Sequence, residues 1–433
     1  MNWRQLYQKK LTTAEEAVKA IKSGDRVVLG HCCGEPQHLV KTLIANKNRY
    51  TKVEIVHLVA MGAGEYCQPE NDAHFIHNSL FAGTSTREAI NNGRAKFTPC
   101  FISEVPRLFK ENILPVDVTL CTISPPDEHG YCSFGISVDY TKPAVEASQI
   151  SIAQVNRYMP RTLGDAFIHI SQIDYLVEYD EPLIEQQPPE IGPVEKEIGR
   201  NCAELIEDGA CLQLGIGAIP DCILAFLTHK KDLGLHTEMF SDGAVELIEN
   251  GVINCAQKNL NPGKIVATFL MGTRKLYEFV DNNPLVEMHP VNYTNDPYII
   301  GCNDKMIAIN SCLQVDLMGQ VASDSLGTRQ YSGVGGQIDF MRGASRSKGG
   351  KAILAFPATA AGGQYSRIVP CLDSGATLTV SRYDAHYFVT EYGVADVRGK
   401  SLGERAKALV NIAHPHFRAD LVRQISGRKI FTQ

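Results

Sequence analysis

The sequence predicts an α/β protein made of two related domains, each built on a mostly parallel sheet. Three observations carry that prediction. Short apolar runs rich in β-branched residues alternate with segments of helical spacing. One pattern (short helix, glycine, strand, small-residue loop) occurs twice, near residues 17–36 and 202–220. A polar stretch holding Pro182, Pro188, Pro189 and Pro193 lies between the copies and reads as a linker. The domains are therefore expected at 1–187 and 188–433, within the two to four that a chain of 433 residues allows.

Taken in order, Thr12 or Thr13 ahead of Glu15 and Glu16 marks a helix over 13–22, with negative charge at its N-terminal dipole. A strand over 27–29 ends at Gly30, and small residues lead to Pro36 and a helix over 37–46. Strands follow at 53–59, 118–123 and 150–155. In the second copy, Gly209 stands where Gly24 stands in the first, each suited to a left-handed helix cap. A strand over 211–214 leads into Gly215-Ile216-Gly217-Ala218-Ile219-Pro220, and further strands are expected at 235–240, 265–271, 306–309, 352–356 and 387–390.

Composition narrows the functional classes. Lys and Arg total 42 and Asp and Glu 48, for a net charge of -6, which argues against a whole-surface nucleic-acid or anionic-membrane binder. The first residues hold no apolar leader, and no run approaches the roughly 18 apolar residues of a membrane span. The expected protein is soluble and cytoplasmic. Its 13 cysteines are scattered and form no C-x-x-C, which predicts reduced packing thiols rather than disulfides or a zinc site.

Three places can carry chemistry. Glu238 lies in or just after an apolar strand, beside a Ser241-Asp242-Gly243 turn. A carboxylate there costs desolvation unless it has partners or a task, and a salt-bridged edge position is the alternative. The Gly215–Pro220 loop lacks the third glycine and the acidic partner of a dinucleotide site. It still offers backbone N–H groups at a helix N-terminus to an oxyanion or phosphate, though a plain tight turn has the same pattern. Gly333-Val334-Gly335-Gly336-Gln337-Ile338-Asp339-Phe340 has similar character and precedes Arg342, Arg346, Lys348 and Lys351. No P-loop and no G-x-S-x-G nucleophile elbow is present. His414-Pro415-His416 reads as a helix end rather than a metal pair.

These motifs, together with Thr390-Glu391-Tyr392-Gly393-Val394-Ala395-Asp396-Val397-Arg398-Gly399 and Ser124-Pro125-Pro126-Asp127, resemble the acetyl-CoA hydrolase/transferase family of class I CoA-transferases. The resemblance spans the whole chain and is strongest to the 4-hydroxybutyrate branch, with butyryl-CoA:acetate enzymes nearby. It implies two CoA-transferase-type α/β domains with the active site between them, and it implies that Glu238 is the catalytic glutamate. The expected enzyme moves CoA between short-chain carboxylic acids such as 4-hydroxybutyrate, butyrate and acetate through a glutamyl-CoA thioester. Gly215, Ile216, Gly217, Ala218, Ile219, Gly335 and Gly336 are the expected oxyanion and CoA-binding positions. His31, Glu35, Met61 and Glu65, after strand ends of the first domain, are the expected acyl-facing residues. No metal and no permanently bound cofactor is expected, since CoA thioester is a substrate. The expected partners are acyl-CoA and carboxylates, with neither nucleic acid nor membrane, in a homodimer. A hydrolase on the same scaffold and a non-catalytic CoA-binding sensor are the competing readings. The basic run from Arg342 to Lys351 is the first place expected to meet the CoA phosphates.

Overall fold

In the computed structural model, which describes residues 2–431, the chain divides into two units. Met1, Thr432 and Gln433, the outer ends of the two expected domains, lie outside the described residues. The first unit is residues 1–187 together with 266–294, and the second is 188–265 together with 295–433. The second domain is thus not the continuous stretch expected. Within the first unit, Val286–Met288 pairs with Leu163–Gly164, and the Thr268 carbonyl accepts from the Val138 and Asp139 amides.

The first unit carries a seven-stranded sheet. Its hydrogen-bonded order is Tyr175–Glu178, Ile150–Val155, Val118–Ile123, Arg26–Leu29, Val53–His57, Phe75–Ser79 and Lys96–Phe97. Every pairing is parallel. Side chains alternate across it as a period of two requires. Val27, Leu29, Ile55 and Leu120 enter one apolar cluster, while Val28, Val56 and Phe109 enter another. Burial on both faces explains why these strands read as unbroken apolar runs.

The second unit repeats the plan with six strands. The order is Gly234–Leu235, Cys211–Leu214, Met306–Asn310, Lys351–Ala355, Tyr387–Thr390 and Gly393–Asp396. Only the last strand is antiparallel to its neighbour. In each sheet the chain leaves its first strand toward one side, to Val53–His57 or Gly234–Leu235, and then returns to the other. The loops after Leu29 and Leu214 therefore sit at a topological switch point, where ligands of open α/β sheets bind at the carboxyl ends of strands.

Local departures from the expected elements have visible causes. The strand expected at 235–240 stops pairing in its sheet at Leu235, because the Thr237 hydroxyl donates to the carbonyls of Leu214 and Met239 at 3.2 and 2.9 Å. Glu238 is left in a bend. The run over 265–271 breaks at Thr268, whose hydroxyl donates to the His289 carbonyl at 2.7 Å. Thr13 caps the helix Ala14–Ala17 by accepting the Glu16 amide, but a 3-10 turn, Val18–Ala20, replaces its expected continuation. Gly24 and Gly209 do take positive φ, +85° and +74°, in turns beyond the helix ends at Ala17 and Ala203 rather than as caps.

Candidate active site

Glu238 follows the Gly234–Leu235 strand at the carboxyl edge of the second unit's sheet. Its carboxylate is partly buried and accepts a 2.5 Å hydrogen bond from Asn295 Nδ2. Asn295 is itself fully buried, and its Oδ1 has no hydrogen-bond partner. An amide that spends one donor on a carboxylate and keeps a bare oxygen costs desolvation, which marks the position as more than packing. Gly336 lies against the pair from the other side. A Cβ there would overlap both the Glu238 carboxylate and the Asn295 amide. Gly336 is the N-cap of the helix Gln337–Arg346. Gln337, next in line, donates from Nε2 to the Ser311 carbonyl at 2.6 Å, while its Oε1 is buried without a partner.

The glycine loop stands beside this group. Leu214 receives the Thr237 hydroxyl, so the loop opens one residue from a direct tie to the Glu238 bend. Gly217 has φ +115° and ψ 179°, a conformation that essentially only glycine adopts. It caps the helix Ala218–Ala225, with Pro220 in the first turn. Residues 215–220, with Asn310, Ser311, Ala355 and others, line a cavity of about 290 Å³. Asp221, in the same first turn, has its carboxyl pushed up, chiefly by burial and then by the charge of Asp242.

In the first unit the structure brings Glu35 and Met61 together and leaves Glu65 apart from their contact. Glu35 is buried, and its carboxylate accepts the Gly62 amide at 2.9 Å and the Met61 amide. Burial pushes its carboxyl up to about 6, although both amides pull the other way. Glu65 is exposed and begins a 3-10 turn. His31, the fourth residue expected to face the acyl group, lies in the turn after the strand Arg26–Leu29. It is fully buried, its Nδ1 is 3.0 Å from Asp139 Oδ2, and its Nε2 is 3.0 Å from Cys32 Sγ.

The N-terminal domain model of the acetyl-CoA hydrolase/transferase family matches residues 1–185, and the C-terminal domain model matches 272–425. The chain belongs to the acetyl-CoA hydrolase/transferase family. It is 60% identical to the 4-hydroxybutyrate coenzyme A transferase of Clostridium kluyveri, over 99% of this chain and 100% of the relative. It is 39% identical to the butyryl-CoA:acetate CoA-transferase of Anaerostipes caccae, over 100% of this chain and 99% of that one. The crystal structure of RipA from Yersinia pestis superposes with a TM-score of 0.95 at 39% identity, covering 99% of this chain and 100% of RipA.

For this acetyl-CoA hydrolase/transferase family member, the expected basic run does not lie wholly at the glycine-loop edge. Lys351 opens the strand that ends at Ala355 by the glycine-loop cavity, so it sits at the opposite, amino edge of the sheet. There it binds the Leu205 carbonyl and Glu207. Arg342 pairs with Asp384 at 3.3 Å. The helix Gln337–Arg346 is the reason: it starts at Glu238 and carries its later residues away at about 1.5 Å each. His414 does cap a helix, accepting the His416 amide at 3.2 Å. Asn295 was invisible in the sequence, as one polar residue in the polar stretch Asn292-Tyr293-Thr294-Asn295-Asp296. Gln337 had one legible sign, its place directly after Gly335 and Gly336. Among the described residues no group of three or more His, Cys, Asp or Glu is placed to hold a metal ion, and no helix is long and apolar enough to cross a membrane.

Proposed function

We propose that this enzyme exchanges CoA between short-chain carboxylic acids, with 4-hydroxybutyrate, butyrate and acetate as the acid class, through a covalent glutamyl-CoA thioester on Glu238. The observation that carries the reading is the setting of that carboxylate. It stands at the carboxyl edge of a mostly parallel sheet, oriented by Asn295, in space that the missing Cβ of Gly336 leaves for it. The acid class comes from the names of the relatives in Clostridium kluyveri and Anaerostipes caccae.

The chemistry conserves one thioester, so it calls for neither a nucleotide triphosphate nor a metal. The Glu238 carboxylate attacks the acyl-CoA carbonyl and expels CoA thiolate, forming an acyl-glutamyl anhydride. The thiolate attacks the glutamyl carbonyl and releases the acyl group as a free acid. The acceptor acid then reverses both steps. Each addition places negative charge on oxygen, and the amides of residues 215–219 and of Gly335 and Gly336 are our oxyanion and CoA-binding donors. Excluding water from the anhydride separates a transferase from a hydrolase. Glu35 and Met61 are the acyl-facing pair the local contacts favour. A cytoplasmic homodimer completes the reading, and light scattering of the purified protein tests its stoichiometry.

Incubation with butyryl-CoA followed by borohydride is expected to reduce Glu238 alone and inactivate the enzyme. Glu238→Ala is expected to lose transfer by at least about a thousandfold, as covalent nucleophiles do. An unmodified Glu238 peptide with activity retained in Glu238→Ala overturns the mechanism. Acyl-CoA breakdown at full rate without any acceptor acid overturns transfer in favour of hydrolysis.

A further inference from the structure

The turn after the strand Arg26–Leu29 holds a Cys–His–Asp arrangement that the transfer chemistry does not use. Asp139 Oδ2 lies 3.0 Å from His31 Nδ1 and also accepts the Ser137 hydroxyl at 3.1 Å. Asp139 Oδ1 accepts the amides of Tyr140 and Thr141 at 2.6 and 3.1 Å. Such a carboxylate is fixed in place, and a ring nitrogen facing it carries the proton. His31 Nε2 is then the acceptor, and Cys32 Sγ stands 3.0 Å from it. The imidazole is wedged between Tyr140 and Phe269, at ring distances of 5.3 and 4.7 Å. Cys32 itself has φ +50°, a left-handed backbone on a residue with a side chain. Strain of that kind persists where surrounding structure over-determines it, and it gathers at functional sites.

Burial alone separates thiols poorly here, because most cysteines of the chain are buried. The imidazole is what distinguishes Cys32. Cys33, next to it and equally buried, is pushed up to about 11, and Cys67 to about 12, in both cases chiefly by desolvation. Thiolate character governs thiol reactivity, and a base oriented by a third group supplies it.

We propose that Cys32 is a site of oxidation by small peroxides, with His31 and Asp139 as its proton relay. His31 Nε2 takes the thiol proton, and the sulfur attacks one peroxide oxygen. The O–O bond breaks, sulfur loses two electrons to become a sulfenic acid, and the leaving hydroxide takes the proton back from His31 as water. Cys32 is only 2% exposed, which is why the oxidant proposed is a small peroxide and not a bulky reagent. None of this depends on the role of Glu238.

The test treats the reduced full chain with hydrogen peroxide and dimedone and maps adducts by tandem mass spectrometry. The expected product is a dimedone adduct on Cys32, ahead of adducts on the exposed Cys302 and Cys371. A bulky aromatic disulfide is expected to modify Cys302 and Cys371 and spare Cys32. From pH 6 to 8 the rate at Cys32 should climb less steeply than that of free cysteine in the same solution, whose thiol has a pKa of about 8.5. Asp139→Asn should slow Cys32 by about tenfold and leave Cys302 and Cys371 unchanged. The wild-type pH profile decides the matter if that variant does not fold. Oxidation of Cys302 and Cys371 with Cys32 untouched, or a Cys32 rate that rises with pH as steeply as that of free cysteine, overturns the proposal.

Discussion

A single missing Cβ shapes the reactive centre. Gly336 has φ -97° and ψ 8°, a backbone any residue can adopt. Gly336→Ala should therefore fold normally yet push the Glu238 carboxylate off its Asn295 contact. A displacement of that order costs about a hundredfold in kcat, which steady-state kinetics beside an unchanged thermal melt would reveal. Glu35 invites a second residue-level experiment. Its carboxyl titrates near 6 because burial disfavours the charge. If Glu35 faces the acyl group, KM for the acceptor acid should rise with pH through about 6, as a second negative charge appears, and stay flat in Glu35→Gln. Glu238 was legible because an acid at the end of an apolar run is costly without a role. Its partner was not legible, because Asn295 is 57 positions away.

Elements obey rules that depend on neighbours along the chain, and these were the most legible. The strands Val118–Ile123, Ile150–Val155, Cys211–Leu214 and Tyr387–Thr390 run over the residues that periodicity assigned them. Where side-chain hydroxyls intervene, periodicity failed: Thr237 and Thr268 capture carbonyls and interrupt strands that hydropathy alone would continue. The loop after Cys211–Leu214 depends on one glycine. At Gly217 no neighbouring atom lies within 4 Å of an added Cβ, so the cost of Gly217→Ala is backbone strain alone. That strain is about 1–3 kcal/mol. Calorimetry should show a lowered Tm, and the loop's amides should lose their aim, with kcat falling alongside. An unchanged Tm would mean that the loop tolerates another backbone conformation.

The whole molecule should answer to pH through its buried titratable groups. His57 is held far below its ordinary range chiefly by burial, and burial lowers His77 to about 4. Each stays neutral in the fold while the unfolded chain takes up protons below 6.5. Each therefore removes stability as pH falls, by at most about 1.4 kcal/mol per pH unit. Glu35 acts in the opposite sense: its contribution is full below 4.5 and lost as pH rises through about 6. Two histidines outweigh one glutamate, so urea midpoints should fall from pH 7 to 5, and His77→Gln should flatten the decline. Glu35→Gln should raise stability at pH 8 by on the order of 2 kcal/mol. The repeat, the parallel α/β class, the glycine turns and the position of Glu238 at a strand's end were determined by sequence alone, since each is a property of residues close along the chain. Tertiary structure decided the rest: Asn295 and Gly336 against Glu238, residues 266–294 in the first unit, His31 between Asp139 and Cys32, and Lys351 at the far edge of its sheet. Those meetings follow from strand order and helix direction, which bring distant residues together wherever burial and hydrogen bonding are best satisfied at once, and no local pattern encodes that choice.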